Sequence, residues 1–260
     1  MLPYPDSHFL HKLADAADAQ TLPRFKAGLV INSKRDRRGG FDPVTEADRA
    51  AEAAMRVIIS RDFPEHAILG EEFGKTGTYH TQWVLDPIDG TRAFLCGMPV
   101  WGTLIGLMEQ GCAVSGMLSQ PFTGERFWAD ELGAWSGAEA NPTPLATSRI
   151  DDLSMAILHT TSPEYFDDTT RHGFTRLSNS VRMTRYGGEC YAAAMVAAGH
   201  IHLNFEPELE SYDVVAIIPI IERAGGVITR LDGGRPETGG AILASANETL
   251  HNAALELLNF

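Results

Sequence analysis

A chain of 260 residues that is 44% apolar and 21% charged has the material for a large core and too few charges to stay unfolded. Its formal net charge of −13 excludes the basic face that a nucleic-acid binder or an anionic-membrane binder needs. No stretch approaches the ~18 apolar residues that span a bilayer, and "MLPYPDSHFLHKLADAADAQ" has no basic start followed by an apolar run, so a cytoplasmic location is expected.

From Asp6 to about Val30 the apolar residues Phe9, Leu10, Leu13 and Ala17 recur at helical spacing, with Pro23 as a break. A glycine- and charge-rich loop, "NSKRDRRGGFDP", follows. Thr45 opens a second helix, and Thr45 to Asp48 fits a capping box. The runs "HAILGEE" and "TQWVLD" read as strands. In "WVLDPIDGTRAFL" the strand stops at Asp86, turns through Pro87 and Gly90, and restarts as a helix at Thr91. Next come "WGTLIGLMEQ", "CAVSGMLSQP" and "ERFWADELGAW", strand-like and close enough to be antiparallel neighbours. The stretch "ANPTPLATSR", 140–149, marks the expected boundary between an N-terminal α+β half, 1–142, and a C-terminal α/β half, 143–260. Beyond it "MAILHTT", "CYAAAMVAAG", "IHLNF", "YDVVAIIPIIERAGG", "VITRLDG" and "AILASANETLHNAALELL" alternate strand and helix. The fold class expected is layered α/β and α+β. Cys96, Cys112 and Cys190 are odd in number and lack C-x-x-C spacing, so reduced, partly buried thiols are expected.

Acidic residues gather at element ends: Glu71 and Glu72 in "LGEEFG", Asp86 and Asp89 in "LDPIDGT", Asp213 in "SYDVV". A carboxylate buried there costs several kcal/mol unless something pairs with it. Convergent carboxylates suit Mg²⁺, a hard ion that takes oxygen ligands and shares its shell with phosphate. Pro87 rigidifies the turn and leaves the Ile88 carbonyl available as a further ligand. Gly90 lets backbone amides approach an anion, and Thr91 begins a helix with a partial positive end. Four ligating carboxylates carry about −4 and two or three Mg²⁺ about +4 to +6, so a loaded site would accept a phosphate ester that the empty one repels. Each motif alone reads as a solvated turn, a surface loop or a helix start. Together and in this order they point to one site. The pairs His8/His11 and His200/His202 fit a helix face and a strand face better than a metal site.

Through "DPVTEAD" (42–48), "GEE" (70–72), "WVLDPIDGT" (83–91) and "YDVVAIIPIIERAGG" (212–226) the sequence resembles the inositol monophosphatase-like family of Mg²⁺-dependent, lithium-sensitive phosphatases. The resemblance implies a layered α-β-α-β-α sandwich, a homodimer and a small-molecule phosphate monoester as substrate, with no nucleic-acid or membrane partner. It implies that Glu71, Asp86 and the Ile88 carbonyl hold one metal and Asp86, Asp89 and Asp213 another, with a weaker third near Glu71. Thr91, bonded to Asp48, would orient the attacking water and Glu71 would assist its deprotonation. The Gly90 and Thr91 amides would bind phosphate. Within the family, "GTRAFLCGMPVWGTLIGL", "RYGGECYAAAMVAAG" and Tyr212 look like the branch that hydrolyses histidinol phosphate, Arg92 and Tyr212 departing from the inositol-type pattern. Glu189 stands where that branch has aspartate. The implied substrate-binding set is Asp89, Gly90, Thr91, Arg92, Glu189, Glu206 and Asp213. An inositol- or other polyol-phosphate phosphatase, and a catalytically silent metal-binding regulatory protein, remain alternatives.

Overall fold

The computed structural model of the protein describes residues 5–27, 32–35 and 41–259. Helix α1 (Ser7–Thr21) starts where Asp6 accepts from the Phe9 N–H, and it buries Phe9, Leu10, Leu13, Ala14 and Ala17. It stops before Pro23, which lies in one 3-10 turn, Leu22–Arg24, rather than continuing toward Val30; residues 28–31 are outside the described set. Where a loop was expected, β1 (Asn32–Arg35) and β2 (Phe41–Val44) pair antiparallel, with 36–40 again outside the description. Helix α2 (Glu46–Asp62) begins at a complete Thr45/Asp48 capping box and lays Ala51, Met55 and Ile59 beside α1.

The strands β3 (Ala67–Gly70), β4 (Gly74–Thr76) and β5 (Thr81–Asp89) precede a short helix α3 (Thr91–Leu95). They are joined by β6 (Gly102–Glu109), β7 (Cys112–Gln120), β8 (Glu125–Asp130), β9 (Gly133–Ala138) and β10 (Asn141–Pro144) in a sheet of order β10-β9-β8-β7-β6-β5-β3-β4. Only β3 and β5 run parallel. "ERFWADELGAW", expected as one strand, is the hairpin β8–β9. The boundary expected after residue 142 falls inside β10, whose Pro142 and Pro144 are tolerated because the strand is an edge. This sheet therefore ends at Pro144.

The remaining elements are β11 (Ile157–Thr160), α4 (Asp168–Ser180), β12 (Met183–Tyr186), α5 (Glu189–Ala197), β13 (Leu203–Leu209), α6 (Ser211–Val214), α7 (Ile217–Arg223), β14 (Val227–Arg230), β15 (Gly240–Ser245) and α8 (Glu248–Leu258). Their strands form a mixed sheet, β12-β11-β13-β15-β14.

Period-two alternation builds the layers. In the first sheet Trp83, Leu85, Ile105 and Met117 face α1 and α2, whereas Leu104, Leu118 and Phe127 face α5 and α7. The same α5–α7 layer meets Ile228, Ile242 and Ala244 of the second sheet, whose far face packs Leu158, Leu203, Phe205 and Leu243 under α4 and α8. The result is the expected α-β-α-β-α sandwich. Two strand glycines set how closely its middle layers meet. A Cβ on Gly116 would lie 2.0 Å from the Ala216 carbonyl oxygen, and one on Gly106 2.6 Å from Val215 Cγ1. Of the three thiols only Cys190 is buried; Cys96 and Cys112 are exposed, further out than expected.

Candidate active site

In a regular strand, residues 86 and 89 would point to opposite faces. In β5 the partners shift from Asp86↔Leu104 to Asp89↔Gly102, three residues against two. This bulge returns both aspartates to one side, and the strand runs on to Asp89 rather than stopping at Asp86. Inside it the Ile88 N–H donates to Asp86 Oδ1 at 3.0 Å and the Thr103 hydroxyl donates to the Pro87 carbonyl at 2.8 Å. The Ile88 side chain plugs an aromatic pocket of Phe25, Phe94 and Trp101. Gly90 has φ +81°, a left-handed value that glycine reaches at no steric cost.

Asp213 joins the pair from α6. Its Oδ2 accepts the Glu210 N–H at 2.6 Å. Oxygens of Asp86, Asp89 and Asp213 then lie within 4.8 Å of one another. Burial, followed by Glu71, Asp89 and Asp213, pushes the Asp86 pKa well above the carboxylate range. Burial and the Asp89 charge do the same to Asp213. Asp89 is raised by burial as well, moderated by the Cys190 N–H donating to its Oδ2 at 2.7 Å. An oxygen-only donor set whose members repel one another fits a hard divalent cation.

Glu71 lines the same cleft, which measures about 380 Å³ and also contains Ile88, Gly90, Thr91, Glu189 and Glu206. Glu72 does not: its carboxylate turns toward Arg49, 3.5 Å away on α2. What places Glu71 is Glu52, a residue that sequence reading missed. Fully buried on α2, Glu52 accepts from the N–H groups of Glu72 at 2.7 Å and Phe73 at 3.2 Å, and from Arg56 Nε at 2.7 Å. Arg56 also bonds the Gly74 carbonyl and the Thr76 hydroxyl. Gly70 is required, because a Cβ there would sit 1.9 Å from Glu52 Oε1. The available signal was a glutamate four residues after Asp48, on the buried stripe of α2.

Asp48 is buried with Oδ2 held by the Thr45 N–H and hydroxyl at 2.9 and 2.6 Å. Burial lifts its pKa to about 6 against the lowering by those bonds. Its Oδ1 lies 3.5 Å from the Thr91 hydroxyl, which is nearer the Ile88 carbonyl, at 3.1 Å. That carbonyl is therefore already an acceptor, with a second lone pair for another partner.

The C-terminal wall carries the other expected residues. Glu189, first in α5, has φ +47° and packs its side chain where a Gly90 Cβ would go. Burial and the Asp89 charge raise its pKa to about 7, with Arg92 pulling it down. Glu206 is buried, its Oε1 accepting the Thr161 N–H and hydroxyl at 2.8 and 3.0 Å; burial pushes its pKa up to about 8. Arg92 is exposed at the mouth, donating to the Tyr165 hydroxyl at 2.8 Å and stacking on its ring. Tyr165, Thr161 and Asn204 also line the cleft without having been expected there. No histidine lines it among the described residues.

Residues 6–260 match the inositol monophosphatase family. The chain is 41% identical over 262 residues to a histidinol-phosphatase of Streptomyces coelicolor, covering 98% of this chain and 97% of the relative. It is 38% identical over 252 residues to a histidinol-phosphatase of Mycobacterium tuberculosis, covering 95% of each. A solved inositol monophosphatase from Zymomonas mobilis superposes with TM-score 0.86 at 36% identity, covering 97% of both chains.

Proposed function

This chain belongs to the inositol monophosphatase family of phosphoric monoester hydrolases, and we propose that it is the Mg²⁺-dependent member that hydrolyses L-histidinol phosphate to histidinol and phosphate. The observation that carries this reading is the cleft's division of labour: three converging aspartates on one side, and Glu189 and Glu206 among the further carboxylates that line it outside that cluster. Histidinol phosphate carries an ammonium group that such carboxylates suit, and a charge-assisted contact to it is worth about 1.5 to 3 kcal/mol. The similarity to histidinol-phosphatases of Streptomyces coelicolor and Mycobacterium tuberculosis supports the same substrate.

Glu71, Asp86, Asp89, Asp213 and the Ile88 carbonyl would hold the ions. Bound Mg²⁺ supplies charge neutralisation for the phosphate and a lowered pKa for water, in a reaction that needs no covalent phosphoenzyme. The chain's own groups supply position. The Thr91 hydroxyl commits its proton to the Ile88 carbonyl or to Asp48, which leaves its lone pairs to accept from the attacking water. Glu71 accepts the proton that the water loses. The amides of Gly90 and Thr91 hold the phosphate oxygens. Glu206, pinned by Thr161, and Glu189, seated against Gly90, face the ammonium, whose charge draws their raised pKa values back down. We take the working form to be a cytoplasmic homodimer.

The likeness to an inositol monophosphatase makes inositol 1-phosphate the second reading. Phosphate release from histidinol phosphate and inositol 1-phosphate, measured side by side with Mg²⁺ and with chelator, decides between them. Turnover of histidinol phosphate that survives chelation, or a preference for inositol 1-phosphate, would overturn the proposal.

A further inference from the structure

We propose that Asn204 is a specificity-determining residue whose side-chain NH₂ donates to a hydrogen-bond acceptor on the organic part of the substrate, and that His159 is the positioning residue that holds the amide that way round. The inference rests on the histidinol-phosphate reading, in which that acceptor is a ring nitrogen of the imidazole.

Alternation along β13 sends Leu203 and Phe205 into the apolar core under α4 and α8. Asn204 and Glu206 point to the other face, where their β15 neighbours Ala244 and Ile242 are apolar. Asn204 is 6% exposed and His159 3%. An amide and an imidazole in an apolar layer are costly to desolvate unless they are bonded. The two sit opposite each other in the parallel β11–β13 ladder, with His159 Nδ1 3.0 Å from Asn204 Oδ1.

The direction of that bond follows from the ring's other nitrogen. His159 Nε2 is buried, has no partner among the described residues, and lies 2.6 Å from where a Gly188 Cβ would be. A proton on Nε2 would be a buried donor with no acceptor, so the proton belongs on Nδ1. Burial lowers the His159 pKa, in keeping with a neutral ring. Nδ1–H then donates to Asn204 Oδ1, and the amide oxygen is used. What Asn204 has left is its NH₂, on a residue that lines the cleft beside Glu206. The wall thus presents a donor next to a carboxylate acceptor. That pattern complements a fragment in which a neutral acceptor lies near an ammonium group, as in an amino alcohol phosphate bearing an imidazole.

The test compares histidinol phosphate with 2-amino-3-phenylpropyl phosphate, which keeps the ammonium and the ring volume but has no ring acceptor. The readout is the ratio of their kcat/KM values with saturating Mg²⁺. Asn204→Leu, similar in size and without a donor, should lower that ratio about two- to tenfold, the scale of one neutral hydrogen bond. His159→Phe keeps the ring and frees the amide to rotate; it should lower the ratio in the same direction, through KM more than kcat. An unchanged ratio in Asn204→Leu, or equal losses on both substrates, overturns the assignment. If circular dichroism shows that Asn204→Leu does not fold, the ratio in His159→Phe decides on the same terms. A wild-type enzyme that does not hydrolyse histidinol phosphate would remove the substrate reading and this inference with it, whereas a wild-type preference with no effect of the variants removes this inference alone.

Discussion

Replacing Glu52 by glutamine separates a residue that merely stabilises α2 from one that sets the position of Glu71. The buried carboxylate serves three donors: the Glu72 and Phe73 amides and Arg56 Nε. Glutamine keeps one oxygen, while its NH₂ faces donors that need an acceptor. Losing one bond to a charged group costs about 1.5–3 kcal/mol. Spread over the whole molecule, that is a Tm lower by roughly 3–10 °C. The bonds lost, however, are those of the turn that carries Glu71, between the β3 end and Phe73. If the cost is local, it appears in metal binding, where each 1.4 kcal/mol is tenfold, so the Mg²⁺ dissociation constant should rise about ten- to a hundredfold. Calorimetric Mg²⁺ titration of the substrate-free protein, with melting curves in chelator, distinguishes the two. A lowered Tm with a Mg²⁺ constant within twofold of wild type would refute the reasoning.

Asp89→Asn should fold, because an amide oxygen can still accept from the Cys190 N–H, yet lose about a hundredfold or more in kcat; wild-type turnover would remove Asp89 from the ligand set. Thr91→Ala should lower kcat by about a hundredfold with little change in Mg²⁺ affinity, and Thr91→Ser should recover most of it; equal losses in the two variants would mark the threonine as a packing or capping residue. Without metal, carboxyls whose folded pKa is raised bind protons that the unfolded chain releases, so their stabilising protonation is present below the unfolded pKa and lost as pH rises through the folded one. For Asp48 and Glu206 those folded values are about 6 and about 8. The Tm in chelator should therefore fall from about pH 4 to about pH 8, the Asp48 part complete near pH 6 and the part above it lost in Glu206→Gln; a Tm that rises over that range in chelator contradicts it.

The periodicity of α1 and the alternation of β6 and β7 were legible because one face of each is buried and the other is not. Glu71, Asp86, Asp89 and Asp213, carboxylates at element ends or at a proline–glycine corner, line one cleft, whereas Asp48 of the capping box and Glu72 do not. The β5 bulge was not legible: a register shift depends on the partner strand, and nothing in "LDPID" shows that Gly102 rather than Trp101 faces Asp89. Glu52 and Asn204 escaped for a related reason. Each is a polar residue inside an apolar pattern, and its purpose depends on a segment distant in sequence, the Glu71 turn for one and His159 for the other. The hairpin β8–β9 was fused because "DELG" carries no two-residue turn signature.

The contact of Gly106 and Gly116 with Val215 and Ala216 makes these glycines the shims that fix the distance between the first sheet and the α6–α7 segment. Asp213 sits two residues before Val215, whereas Asp86 and Asp89 belong to β5, the strand next to β6. The three carboxylates therefore meet only at one interlayer spacing, and that spacing is set where no substrate or metal reaches. A methyl group at residue 116 would wedge the layers apart and open the aspartate triangle without altering any of its corners. Loss of activity in this fold can thus arise from the thickness of a layer rather than from the chemistry of a ligand.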